Sequence, residues 1–123
     1  MAIKVKRIYD DKAEDDGVRV LVDRVWPRGI SKENANLDEW LKNIGPTKKL
    51  REWFNHDADK FEDFKKKYIK ELENNDEQNE ELKTLEGMVK DARKDVIILF
   101  GAKDEKHNQA VVLQSYLKDQ GYK

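Results

Sequence analysis

The sequence has no cysteine, only two prolines and only six glycines among its 123 residues. Without a thiol there can be no disulfide, no thiolate nucleophile and no cysteine-ligated metal. No apolar run approaches the roughly 20 residues that span a bilayer, and the N-terminal MAIKVKRIYDD lacks the apolar core of a secretory signal. These absences predict a cytoplasmic protein that does not contact a membrane.

An excess of charge of one sign is also lacking. Charged residues make up 41% of the chain, against roughly 25% in typical globular domains, yet the net charge is only -1. Such a balance creates no long-range field that would gather nucleic acid, so we expect no nucleic-acid partner. The length suits one domain with a buried core, and we predict a single α/β domain over residues 1–123.

Three segments predict β-strands. Ile3–Tyr9 alternates apolar and basic residues, whereas Val18–Val25 and Val96–Phe100 are apolar and β-branched, as in buried strands. An acidic loop with a turn at Asp16-Gly17 separates the first two strands. Because this loop is shorter than the dozen or so residues of a parallel crossover, the two strands either pair as a hairpin or lie apart in the sheet.

Helical periodicity predicts the segments between the strands. Apolar residues recur at helical spacing from Asn36, a candidate N-cap, to Ile44. Thr47 would cap a second helix, in which Trp53 faces the core. The remaining apolar sets at helical spacing are Phe61, Phe64, Tyr68 and Leu72; Leu82, Leu85, Met88, Val89 and Ala92; and Ala110, Leu113, Tyr116 and Leu117. We therefore predict an α/β fold with a few-stranded, mostly parallel or mixed sheet flanked by about five helices.

Two loops carry most of the candidate site residues. In open α/β sheets ligands bind beyond the carboxyl ends of the strands, and the segments Asp23–Arg28 and Gly101–Gln109 follow two predicted strands. If those strands are parallel neighbours, the loops face one another and a helix N-terminus. The predicted anion-binding residues are Arg24, Arg28, Lys103 and Asn108. His107 would be the general acid or base and Asp23 would orient an arginine or a water, so these two are the catalytic candidates. Trp26, Gly29, His56 and Asp104 are expected to line the site.

Several of these residues also have a purely structural interpretation. Trp26 followed by a proline can simply stiffen the strand exit, and Gly29 can serve a turn. His107 can lie in the first turn of the last helix with Asp104 as the N-cap, and Asn108 is the alternative cap. Both interpretations of the motif remain open at this point.

No metal or other cofactor is expected. His56 lies near two aspartates, but two histidines and scattered carboxylates without ligand spacing do not indicate a metal centre. The aromatic residues recur at the spacing of a helical core rather than of a base-stacking platform, and the Lys65–Lys67 run is typical of a solvated helix face. The motifs of phosphate-binding loops, dinucleotide folds, nucleophile elbows and zinc proteases are absent.

Three stretches carry a family resemblance: VLVDRVWPRGISKE, LDEWLKNIGPTKKLREWFNHD and LFGAKDEKHNQAVVLQSYL. In order and spacing they resemble the domain-of-unknown-function family 488, in its short YeaO-like branch. The resemblance implies a compact α/β fold of a few strands and a cytosolic bacterial or archaeal origin. The family's recurrent polar positions match Asp23, Arg24, Arg28, Gly29, His56, Lys103, Asp104, His107 and Asn108.

Two positions depart from the family pattern. Where the broader family often has a Cys-His-Arg group after its last strand, this sequence has Lys106, His107 and Asn108, so a cysteine-based mechanism is not available. Phe61 replaces an expected tryptophan, which we interpret as a change within the core. Some relatives are labelled transcription regulators, but no recognition helix with a basic face is present here.

Three functional hypotheses follow. The first is a site for a small anionic ligand, phosphate- or nucleotide-like, at which His107 assists hydrolysis or transfer. The second is a non-catalytic module that senses a metabolite or binds a partner with the same groups. The third is that the polar motif is structural and holds the loops together. The reaction, the substrate and the oligomeric state do not follow from the sequence.

Overall fold

A four-stranded parallel sheet forms the centre of the part of the chain that the computed structural model describes, residues 2–10 and 17–122. The strands are β1 (Ile3–Arg7), β2 (Val18–Leu21), β3 (Glu39–Trp40) and β4 (Val96–Phe100). Their order is β1-β4-β2-β3, and every pairing is parallel. β4 therefore separates the first two strands, which lie apart rather than forming a hairpin. The predicted acidic loop with its turn at Asp16-Gly17 falls largely outside the described residues.

Five α-helices connect and cover these strands within the described residues. They are α1 (Lys32–Ala35), α2 (Lys48–Phe54), α3 (Phe61–Asn74), α4 (Asp76–Asp91) and α5 (Gln109–Asp119), and a 3₁₀ turn at Ala58–Lys60 precedes α3. The predicted cap Thr47 accepts a hydrogen bond from the Leu50 N–H at the start of α2. At α5 the cap is Asn108, whose side chain accepts from Val111 at 3.1 Å, rather than Asp104. None of these helices is long and apolar enough to cross a membrane.

The sheet has an apolar layer on each face. On β4, Val96, Ile98 and Phe100 pack in the larger cluster with residues of α2 to α5. Ile97 and Leu99 alternate with them and pack in a smaller cluster, which the segment around α1 covers. Alternation of side chains along a strand places successive residues on opposite faces. The small α/β domain predicted from the sequence is confirmed in this three-layer arrangement.

The prediction of a helix from Asn36 to Ile44 is wrong. Asn36 ends α1 in a left-handed conformation (φ 49°) instead of starting a helix. Trp40 belongs to the edge strand β3 and packs in the smaller cluster, whereas the adjacent Leu41 packs in the larger one. Neighbouring residues on opposite faces are a property of extended chain. The backbone follows β2 because Leu41 N–H donates to the Leu21 carbonyl at 2.9 Å.

Two smaller expectations also need correction. The second strand ends at Leu21 rather than Val25, because the chain leaves the sheet there and Val25 becomes 70% exposed. Trp53 does not join the core and is 36% exposed on α2, whereas its helix neighbours Leu50 and Phe54 are buried. The buried face of α2 is therefore narrower than the spacing of its apolar residues predicted.

Candidate functional site

A cavity of about 270 Å³ opens at the carboxyl edge of the sheet, where β2 and β4 end and α5 begins. The two loops singled out in the sequence meet here because β2 and β4 are parallel neighbours. The predicted site residues that line the cavity are Asp23, Arg24, His56, His107 and Asn108. Arg51 and Gln109, which sequence reasoning missed, line it as well, together with apolar side chains such as Phe54 and Phe64.

The Asp23 carboxylate is bound inside the protein. Its Oδ2 accepts a hydrogen bond from the Gly101 N–H at 2.8 Å, and its Oδ1 accepts one from the Gln109 side-chain amide. Burial raises the pKa of Asp23, although both hydrogen bonds act to lower it. Position 101 favours glycine, because a Cβ there would lie 2.9 Å from Oδ2 and the Asp23 carboxylate would have to shift. Asp23 thus connects the ends of β2 and β4 with the start of α5.

The Arg24 guanidinium is bound to the loop before α2. It donates to the Gly45 carbonyl from Nη2 at 2.8 Å and to the Pro46 carbonyl from Nε at 2.9 Å. These are charge-assisted hydrogen bonds, which fix the loop but leave the positive charge without a carboxylate partner among the described residues. Arg24 therefore combines a structural contact with a positive potential at the cavity wall.

His107 is oriented by Asp104. Its Nδ1 lies 2.9 Å from Asp104 Oδ2, and its ring meets the edge of Phe61 with centroids 5.1 Å apart. The Lys106 N–H, and after it the His107 side chain, lower the pKa of Asp104 by binding its carboxylate. Asp104 organises the turn before α5, and the imidazole that it holds lines the cavity.

The opposite wall is formed by the end of α2 and the turn after it. His56 adopts a positive φ of 55°, next to Asn55 at 45°. A left-handed conformation costs a non-glycine residue on the order of 1–2 kcal/mol, and such residues concentrate at functional sites. Arg51 lies on the exposed side of α2 and forms no ion pair with any described carboxylate. This wall contributes the Arg51 guanidinium and the His56 imidazole to the cavity.

The missed residues had weak sequence signals. Gln109 immediately follows the loop that was singled out, and its position as the first residue of α5 could have drawn attention to it. Arg51 lies one turn beyond the Thr47 cap, but nothing in the local pattern distinguishes it from its charged neighbours. The packing of α2 against α3, which no local pattern encodes, brings it to the cavity.

The other predicted site residues lie outside the cavity lining. Arg28 and Gly29 form an exposed turn, with a φ of 81° at Gly29, and Lys103 is exposed. Trp26 packs edge-on against Trp40 on the far face of the sheet, with centroids 5.2 Å apart. Its Nε1 donates to the Ile30 carbonyl at 2.6 Å, and this hydrogen bond stabilises the turn that follows β2.

The cavity lining combines apolar side chains with guanidinium, imidazole, amide and carboxylate groups. Among the described residues, no hydroxyl, thiol or amine side chain lines the cavity. In the described ranges, no three His, Cys, Asp or Glu residues come together in a way that could hold a metal. The lining does contain two arginines and two histidines, whereas Asp23, the single carboxylate among the described lining residues, is occupied by internal hydrogen bonds.

Comparison with known proteins places the chain among relatives without an assigned activity. Over 118 residues it is 36% identical to the uncharacterized protein YeaO of Escherichia coli (strain K12), covering 96% of this chain and 98% of that protein. It is 46% identical over 70 residues to uncharacterized proteins of Mycobacterium bovis and Mycobacterium tuberculosis. That match covers 57% of this chain and only 59% of the mycobacterial proteins. No solved structure matches the chain.

The family profile described as "Inactive DUF488-N3 subclade" matches residues 2–122. This match spans the sheet, the helices and every residue of the cavity. The family resemblance predicted from the sequence is therefore confirmed, and the chain belongs to the DUF488 family, in its YeaO-like branch.

Proposed function

We propose that the protein is a non-catalytic binding domain that holds a small anionic ligand, a phosphate or carboxylate, in the cavity at the carboxyl edge of the sheet. The observation that carries this proposal is the unequal charge of the lining. Arg24, Arg51, His56 and His107 converge on a cavity in which Asp23, the one carboxylate of the described lining, already accepts two hydrogen bonds. An entering anion would therefore meet donors without displacing an internal acid.

The start of α5 adds further donors. The first N–H groups of a helix have no partner within the helix and carry a partial positive charge, which favours anions. Asn108 and Gln109 both line the cavity at this helix end. The side chain of Asn108 is occupied, since it accepts from Val111 and donates to the Asp104 carbonyl at 2.9 Å. Asn108 therefore contributes through the position of its backbone rather than through its amide.

Two observations favour binding without turnover. The described residues of the cavity lining include no serine, threonine, cysteine or lysine, and the matching subclade is described as inactive. Asp23, the second catalytic candidate, is held by Gly101 and Gln109 and serves to position the loops. These observations favour a cavity that binds an anion between positioned loops.

A second candidate function rests on the pair formed by Asp104 and His107. A carboxylate bound to Nδ1 fixes the orientation of an imidazole and is a common arrangement of a general base. With this base a water molecule could attack a bound ester or phosphate. Turnover of a phosphate monoester at saturating concentration, lost in His107→Gln, would favour this function over simple binding.

Isothermal titration with inorganic phosphate, a phosphate monoester and succinate tests the proposal. At least one of these probes should bind, and Arg51→Gln should weaken it by about tenfold, equivalent to about 1.4 kcal/mol. Arg28→Gln is the matched control, because it removes the same charge from an exposed turn outside the cavity. Absence of binding by all three probes, or equal losses in both variants, would contradict the proposal.

A further inference from the structure

A second charged feature lies on the outer surface of α2 and α3, apart from the cavity. Trp53 is exposed over about a third of its surface, at 36%. The ammonium groups of Lys60 and Lys67 each lie over its indole ring, 5.1 Å from the ring centroid. Lys60 Nζ also donates to the Trp53 carbonyl at 2.9 Å. We call these three residues the lysine–tryptophan cluster.

The cluster holds its cations in place without neutralising them. A cation over an aromatic face is attracted by the ring quadrupole but keeps its full charge. Neither lysine of the cluster forms an ion pair with a carboxylate in residues 2–10 or 17–122. Two lysines that are already positioned lose less side-chain entropy when they bind an anion than freely rotating ones. The arrangement is therefore prepared for an incoming negative group.

A shallow groove extends this surface along α3. Lys67 and Lys70 line it together with Asn74 and Asn75 at the end of the helix. Its one acidic residue, Glu71, accepts hydrogen bonds from the Thr47 hydroxyl at 2.6 Å and the Gln78 side chain at 3.0 Å. The lysines of this surface, Lys60, Lys67 and Lys70, outnumber this carboxylate among the described residues, so the surface as a whole offers a partner positive charge.

We propose that the lysine–tryptophan cluster and the adjoining groove form a docking surface for a short acidic segment of a partner protein. Carboxylates of the segment pair with Lys60, Lys67 and Lys70, and a neighbouring apolar side chain packs against the exposed part of the Trp53 indole. Partly exposed tryptophans are frequent anchors of protein interfaces.

The surrounding charges favour a peptide over a nucleic acid. A nucleic-acid strand presents regularly spaced phosphates and binds best to a continuous basic surface. Here Glu62 and Asp63 occupy the first turn of α3, and Glu52 lies beside Trp53 on α2. These acids confine the positive region to a short patch.

Fluorescence anisotropy with a labelled peptide of alternating glutamate and leucine tests this surface. The double variant Lys60→Gln/Lys67→Gln should bind the peptide at least about tenfold more weakly than the wild-type protein. The matched control, Lys66→Gln/Lys83→Gln, removes two exposed lysines elsewhere on α3 and α4 and should change the affinity less than about twofold. Circular dichroism checks that both variants are folded.

Three results would overturn the proposal. The first is that the wild-type protein does not bind the peptide. The second is that the control variant loses as much affinity as the cluster variant. The third is tighter binding of a labelled oligothymidylate of equal charge, which would assign the surface to single-stranded nucleic acid.

Discussion

The Asp23 carboxylate lies 2.8 Å from the backbone nitrogen of Gly101, across the carboxyl ends of two neighbouring strands. This hydrogen bond joins residues that are 78 positions apart in the chain. The other carboxylate oxygen binds Gln109, at the start of α5. One side chain therefore fixes the three elements around which the cavity forms, and the geometry of the candidate site depends on it.

Replacing Asp23 separates this positioning role from that of its charge. Asp23→Ala should lower the free energy of unfolding by about 1–3 kcal/mol, because the half-buried Gly101 N–H loses its acceptor. Asp23→Asn keeps an acceptor of the same shape and should lose less. Urea unfolding of the two variants checks the difference, and equal losses would show that the Gly101 hydrogen bond is not what matters.

The raised pKa of Asp23 predicts a pH dependence of stability. When the pKa in the folded state lies above its value in the unfolded state, the group's contribution to stability is complete below the unfolded value and is lost as the pH rises through the folded value. The stability of the wild-type protein relative to Asp23→Asn should therefore fall as the pH rises from below 3.8, the ordinary value, through the raised pKa. Urea unfolding of both proteins across this range measures the difference. A difference that grows with pH would contradict the assignment.

A side chain at position 101 should destabilise the protein. In Gly101→Ala the new Cβ would lie 2.9 Å from Asp23 Oδ2, so the carboxylate or the strand end must move. We expect a loss of about 1–3 kcal/mol, as in other overpacked sites. Gly87→Ala is the control, because nothing lies within 4 Å of a Cβ there and alanine favours the α4 helix. Thermal unfolding should show Gly101→Ala melting lower and Gly87→Ala melting no lower than the wild-type protein.

Arg24 and Arg28 should differ in their effects on stability. Arg24→Gln removes charge-assisted hydrogen bonds to the Gly45 and Pro46 carbonyls and should cost about 1.5–3 kcal/mol. Arg28→Gln changes an exposed side chain and should stay within about 0.5 kcal/mol of the wild-type protein. Chemical denaturation compares the two variants. A larger loss at Arg28 would mean that the exposed turn, rather than the loop before α2, is the motif's structural anchor.

Sequence patterns predicted correctly those helices and strands in which the spacing of apolar residues is enough to determine the secondary structure. Val96–Phe100 forms a buried central strand because a short, continuous run of apolar, mostly β-branched residues is typical of such strands. The helix α3 was predicted from the regular helical spacing of its apolar residues. The segment from Asn36 to Ile44 has the same spacing but contains the short edge strand β3 within otherwise irregular chain. There the tertiary context decides, since hydrogen bonds to β2 and two separate apolar layers favour extended chain.

The candidate site was predictable in its location rather than in its contacts. The two loops after β2 and β4 could be paired from the sequence because carboxyl ends of parallel strands meet at one edge. The convergence of Arg51 and His56 depends on how α2 packs, which no local pattern encodes. The hydrogen bonds that Arg24 donates to backbone carbonyls likewise depend on the loop around Gly45, 21 residues away in the chain.

The most direct test of anion binding in the cavity is a two-dimensional ¹H–¹⁵N NMR titration with inorganic phosphate and succinate. Saturable shifts should be largest at the backbone amides of Asn108 and Gln109 and at the Arg51 side chain, where the cavity meets the start of α5 and α2. In Arg51→Gln the backbone shifts should reach half-saturation only at about tenfold higher anion concentration. Shifts confined to other surfaces, or no saturable shift with either anion, would contradict the account.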